Sequence, residues 1–234
     1  MDRVIGSLVL PVVCVWGAQG FRMEAKQITV KTLAISVVGV LSLEFLLRWT
    51  LSSHPLMVLG MIRILQAALV ALSVKVWDRG LPCLGIDPST LFSGFKRGLL
   101  WSAGFALLCG ILFSVLLMFD LNLLKFLQAR LPRKSTDLLL FYLVGGVIAP
   151  VTEEIFFRGL IYGFLRRWGF PAALVLSTLL FVLVHPMDRS LPVTQIMGGL
   201  LFAVAYELEG NLLVPVTIHA LGNLAIFSAS LMTS

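Results

Sequence analysis

The chain is 234 residues long, 59% apolar and 13% charged, with a net charge of +6 and a mean hydropathy of +0.99. Soluble domains average about 45–50% apolar and about 25% charged residues, so this composition excludes an ordinary water-soluble fold, which would expose too much apolar surface. The basic residues sit in short connections such as RMEAKQITVK and RLPRKSTD, with no basic and aromatic stripe, which argues against nucleic-acid binding and for a multi-pass membrane protein.

Spans of about 20 apolar residues are expected near residues 4–21, 30–50, 56–76, 98–119, 137–165, 171–186, 191–208 and 212–231. The predicted fold is therefore all-α, a polytopic bundle of about eight transmembrane helices, because alternating ten-residue strands are absent. The first run follows Arg3 as a signal peptide would, but it lacks a small-x-small cleavage site and is read as a retained first span. Residues 77–97, rich in Gly, Pro and Asp, predict a loop with a short helix after Asp87. Residues 120–134 put Leu121, Leu124, Leu127 and Leu131 on one stripe and Lys125, Gln128 and Arg130 elsewhere, which predicts an amphipathic helix in the interface. The organisation expected is residues 1–136 as N-terminal spans plus interfacial helix, and 137–234 as the functional core, within one integral membrane domain. Basic residues divide nine against seven between alternate connections, a slight excess that places both termini outside. Cys14, Cys83 and Cys109 are scattered with no CxxC, so they read as inert thiols.

Ionisable groups inside apolar spans cost roughly 2.5–3.5 kcal/mol each on insertion scales, and they persist where they pair, line a cavity or do chemistry. Here they are Glu44, Arg63, Glu153, Glu154, Arg158, His185 and His219, joined by the amide Asn223. Glu154 and Arg158 are four apart, on one helix face, in the favourable order for an ion pair. Glu153 lies about 100° round the helix with no local partner, which makes it the general-base candidate. The plainer reading of the triplet is a structural ion cluster tying helices together. Pro150 has no N–H, so the carbonyl of Gly146 is expected to lose its partner and the helix to bend or loosen there, opening onto a wet cavity or simply kinking for packing. Gly145 and Gly146 would let another helix come close. Phe181 and His185 share a face, as do His219 and Asn223. The last pair could donate two hydrogen bonds to an oxyanion, or merely glue helices. Glu44 could pair locally with Arg48, or line an ion path with Arg63.

In order and spacing, EEIFFR (Glu153, Glu154, Arg158), FVLVH (Phe181 to His185) and HALGN (His219 to Asn223) match EExxxR, FxxxH and HxxxN/D. Over residues 137–231 the chain resembles the CAAX-protease and bacteriocin-processing (Abi) family, which contains the type II prenyl-protein endopeptidases. That resemblance implies an intramembrane endopeptidase. Glu153 and His185 would activate water, His219 and Asn223 would stabilise the oxyanion, and Glu154, Arg158 and Phe181 would support and orient the site. It also implies two possible chemistries: metal-free activation, which is preferred because no HExxH is present, or Zn²⁺ held by Glu153, His185 and His219. The expected partner is a membrane-anchored protein or peptide cut near its C-terminus, a sorting tail in preference to a CAAX-like tail, in a prokaryotic cytoplasmic membrane. The rivals are a non-proteolytic immunity or scaffold protein of the same fold, and a transporter, for which no inverted repeat is seen.

Overall fold

The computed structural model describes residues 28–49, 55–119, 129–185 and 192–233. The expected span at 4–21 and most of the expected interfacial helix lie outside these residues. All regular structure among the described residues is helical. We label the helices α1 (Val30–Trp49), α2 (Pro55–Trp77), α3 (Leu91–Leu117), α4 (Ser135–Trp168), α5 (Phe170–Val184), α6 (Val193–Glu209) and α7 (Leu213–Thr233). The chain is thus a polytopic helical bundle. Seven helices lie within the described residues, the span expected at 4–21 being outside them, and four of the described segments are long and apolar enough to cross a membrane.

The helix ends follow local chemistry. Thr29 Oγ1 accepts from the backbone N–H of Thr32 at 3.2 Å and caps α1. Asp87 accepts from Ser89 N–H at 2.9 Å, so the short helix expected after Asp87 is a single 3₁₀ turn, Pro88–Thr90, that runs straight into α3. Gly169 (φ +96°) turns the chain between α4 and α5, and Gly210 (φ +62°) ends α6 in the left-handed region, where other residues are strained. At the other expected helix, residues 129–134 are non-helical. Ala129 N–H donates to Ser230 Oγ on α7 at 2.8 Å.

Helix α4 departs most from expectation. It stays helical from Ser135 to Trp168 and loosens beside Pro150, widening into two π-helical stretches, Val144–Ile148 and Ile155–Tyr162. In the π register Ala149 N–H bonds the Val144 carbonyl five residues back. The carbonyl that Pro150 leaves without a backbone donor is therefore that of Gly145, not Gly146. Asn223 Nδ2 supplies the missing donor at 2.9 Å. The close approach expected at the glycine pair does occur. A Cβ on Gly146 would stand 2.5 Å from Leu224 Cδ2, and one on Gly145 would stand 3.3 Å from the Phe227 ring, both on α7.

Helix α3 docks on α7 through the same device. Gly94 faces Asn211, and a Cβ on Gly98 would lie 2.5 Å from Thr217 Cβ. Gly98→Ala is expected to lower bundle stability by about 1–3 kcal/mol, the usual cost of overpacking, read as a lower melting temperature in detergent. Arg97 and Trp101 then tie α3 to Glu209 at the end of α6, at 2.6 and 2.9 Å. Near the same end Glu207 accepts from Tyr162 Oη at 2.5 Å and from Arg166 Nη2 at 2.6 Å, which joins α6 to α4. One apolar core gathers Leu84, Leu160, Tyr162 and Tyr206, and a second gathers Phe157, Phe181, Phe202 and Ile218. The second core surrounds the candidate site.

Glu44 pairs with Arg63 on the neighbouring helix at 2.9 Å, and Gln66 Nε2 also donates to it at 3.1 Å. Glu44 therefore has a partner across the α1–α2 interface. Closing on each other in this way, Glu44 and Arg63 form an interhelical ion pair. The adjacent Arg63 carbonyl accepts from Thr152 Oγ1 at 3.0 Å, holding α2 to the turn of α4 that carries the glutamates.

Candidate active site

The two glutamates sit at the end of the α-helical stretch Ala149–Glu154, between the two π stretches of α4. Such widened turns are rare and cluster at functional sites. Glu154 is fully buried and pairs with Arg158, itself 1% exposed, at 3.0 Å. The pairing read from the i, i+4 spacing is therefore present. Its setting is more elaborate than the sequence suggested. Glu154 Oε1 also accepts from His219 Nδ1 at 2.8 Å, and Arg158 Nη2 donates to the Gly199 carbonyl at 3.1 Å. The guanidinium lies over the Phe181 ring at 4.5 Å and the Phe202 ring at 5.2 Å. Such cation–π contacts are strongest where water is excluded.

Glu153 points elsewhere and keeps 19% of its side chain exposed. Its Oε2 stands 3.8 Å from His185 Nε2 and 3.8 Å from His219 Nε2. These separations are too long for direct hydrogen bonds, yet one water can bridge them. The other nitrogen of each ring is committed. His185 Nδ1 meets the Phe181 carbonyl at 2.6 Å, and His219 Nδ1 meets a Glu154 oxygen at 2.8 Å. A carbonyl and a carboxylate can only accept, so each Nδ1 carries a proton and each ring turns its Nε2 toward Glu153.

Both histidines rest on aromatic rings. Phe181 lies under His185 with centroids 4.4 Å apart, and Phe202 stacks on His219 at 4.6 Å and 20°. Of the residues expected at the site, Glu153, His185 and His219 converge on one point, with Glu154, Arg158 and Phe181 packed directly behind them. Asn223, one turn beyond His219, spends one amide N–H on the Gly145 carbonyl and keeps its second N–H and its Oδ1. Gly199 and Phe202 of α6 were not anticipated. The signal available was the pair Gly198–Gly199 in a membrane helix, which marks close approach of a neighbour.

Residues 135–225 match the family described as type II CAAX prenyl endopeptidase Rce1-like. They contain all three motifs and the whole ring of contacts just described. In the same vein the chain is 35% identical over 91 residues to a Staphylococcus aureus protein named membrane-embedded CAAX protease MroQ. That similarity covers 36% of this chain and 36% of MroQ, so it spans about a third of each. No solved structure matches the chain. An Rce1-like core within several apolar helices makes this an integral, multi-pass membrane protein.

Proposed function

We propose that the chain is an intramembrane endopeptidase that hydrolyses a peptide bond near the C-terminus of a membrane-anchored protein. What supports this most directly is the placement of both histidine Nε2 atoms 3.8 Å from a single Glu153 oxygen, with both Nδ1 atoms engaged elsewhere. The Rce1-like match over residues 135–225 gives the reaction class.

In this mechanism a water bridges Glu153 Oε2 and His185 Nε2. Glu153 takes one of its protons, and the resulting hydroxide attacks the peptide carbonyl. The free N–H of Asn223 and the His219 ring then stabilise the tetrahedral oxyanion. To donate there, His219 must carry a proton on Nε2 as well as on Nδ1, and the Glu154 carboxylate at 2.8 Å is the countercharge for that form, Glu153 being protonated at this stage. Glu153 finally returns its proton to the leaving amine as the C–N bond breaks. The preferred substrate is a hydrophobic C-terminal sorting tail, with a CAAX-like tail as the alternative. The test is a catalogue of membrane-protein C-termini in cells carrying the native chain or Glu153→Gln. A set of longer C-termini in the variant supports the reading, and identical catalogues refute it.

A second reading has a specific observation in its favour. Two histidines with Nδ1 donated to acceptors and Nε2 turned to a glutamate make the donor set of a His₂Glu zinc site, with the outer hydrogen bonds such sites carry. As placed, the described side chains do not close into a ligand cluster. In that version Glu153, His185 and His219 would hold the ion, which would polarise a bound water. Stripping the purified protein with 1,10-phenanthroline is expected to leave the cleavage rate unchanged. Loss of activity restored by Zn²⁺ would establish the metal version instead.

A further inference from the structure

Helix α6 carries none of the motif residues, yet it touches the site at two points. The Gly199 carbonyl accepts from Arg158, and the Phe202 ring lies flat on the His219 imidazole at 4.6 Å and 20°. The same Phe202 ring faces the Arg158 guanidinium at 5.2 Å and meets Phe181 edge-on at 6.4 Å. Two glycines make this possible. In a helix a long side chain leans back over the residue four positions earlier, which for Phe202 is Gly198. A Cβ at Gly198 would come 3.2 Å from two carbons of the Phe202 ring. At Gly199 a Cβ would stand 2.8 Å from Thr178 Cγ2, so α6 could not lie as close to α5.

From this geometry we propose that Phe202, seated on Gly198, is a positioning residue that fixes the plane of His219. His219 is otherwise held by the Nδ1 bond to Glu154 and by an edge contact with Phe181 at 5.9 Å. The flat Phe202 face narrows rotation of the ring about its Cβ–Cγ bond and keeps Nε2 aimed at Glu153. Through the Gly199 carbonyl and the Phe202 face, α6 also holds Arg158, and so the Glu154 carboxylate that receives the Nδ1 proton. The role in turnover rests on the protease reading, whereas the stacking itself does not.

Two measurements separate these. The chain has three histidines, so ring-labelled histidine in detergent micelles gives three sets of NMR signals. Phe202→Leu keeps an apolar side chain and removes the ring. It is expected to shift the His219 signals strongly downfield by removing the shielding of a stacked ring, and Phe202→Tyr is expected to retain that shielding. Unmoved His219 signals in Phe202→Leu would overturn the proposal whatever the protein's activity. The kinetic arm uses a quenched fluorescent peptide copied from a C-terminus that persists uncleaved in Glu153→Gln cells. Phe202→Leu is expected to lower kcat by on the order of tenfold with KM within about twofold, and Phe202→Tyr to recover it, the scale of one aromatic pair plus a desolvated cation–π contact. Phe164→Leu, a matched loss of a buried ring in the other core, serves as the stability control and is expected to leave kcat unchanged. An unaltered kcat in Phe202→Leu, or an equal fall in Phe164→Leu, contradicts the positioning role. If the native chain cleaves no such peptide, the protease reading has failed and the NMR result alone decides the stacking.

Discussion

Replacing Glu153 by glutamine is expected to abolish peptide-bond cleavage while leaving the bundle folded. Glutamine has the same length and shape but cannot take a proton from water, and loss of a general base costs about 10²–10⁴-fold in rate. Stability should not suffer, because Glu153 has no ion-pair partner closer than the two imidazoles at 3.8 Å. Removing an intramembrane charge also relieves an insertion cost of roughly 2.5–3.5 kcal/mol. The melting temperature in detergent is therefore expected to stay level or rise. Substantial residual cleavage by a well-folded Glu153→Gln protein would remove Glu153 from the mechanism. A collapse in melting temperature would instead make it a structural ion, as the plainer reading of the triplet has it.

The neighbouring carboxylate should behave in the opposite way. Arg158→Met leaves Glu154, which has no solvent exposure, without its guanidinium. Breaking a buried pair from one side typically costs about 3–5 kcal/mol, a large part of a domain's stability, so this variant is expected to unfold far more readily or to fail to accumulate. Removing both charges, as Glu154→Leu with Arg158→Met, should recover much of that loss, since an apolar pair of similar volume often matches a buried ion pair. Recovery should be incomplete, because His219 Nδ1 then has no acceptor, an unmet buried donor worth about 1–3 kcal/mol. Activity should not return, because His219 has lost the contact that holds its tautomer. Melting curves and cleavage rates for the single and double variants form the cycle. A double variant that is both stable and fully active would reduce Glu154 and Arg158 to packing.

These two outcomes separate adjacent residues of one type, and that separation was legible early. The i, i+4 spacing assigns Glu154 to Arg158 and leaves Glu153 over, and the coordinates place them so. Helical periodicity carried this because both residues lie on one helix, where angular position depends on sequence alone. The same reasoning erred where the helix was not ideal. For Pro150 the α-helical register points to the Gly146 carbonyl, although the loosening expected there does occur. The π register moves the orphan to Gly145, and Asn223 closes the gap from α7. For Glu44, spacing along one helix offers only Arg48, whereas the structure also brings Arg63 to it from the next helix.

By itself the sequence determined that this is a helical membrane protein, since composition fixes the solvent a chain can fold in, and that Glu153, His185 and His219 are the residues to watch, since an ionisable group in apolar surroundings needs a reason to be there. Only the tertiary structure decided which atoms face each other. Both imidazoles turn Nε2 to one Glu153 oxygen because the Phe181 carbonyl and Glu154 hold their Nδ1 atoms. It also brought in Gly199 and Phe202, which carry no charge and belong to no motif. Their role comes from a backbone carbonyl and a ring face, and neither is visible until α6 lies against α4 and α7.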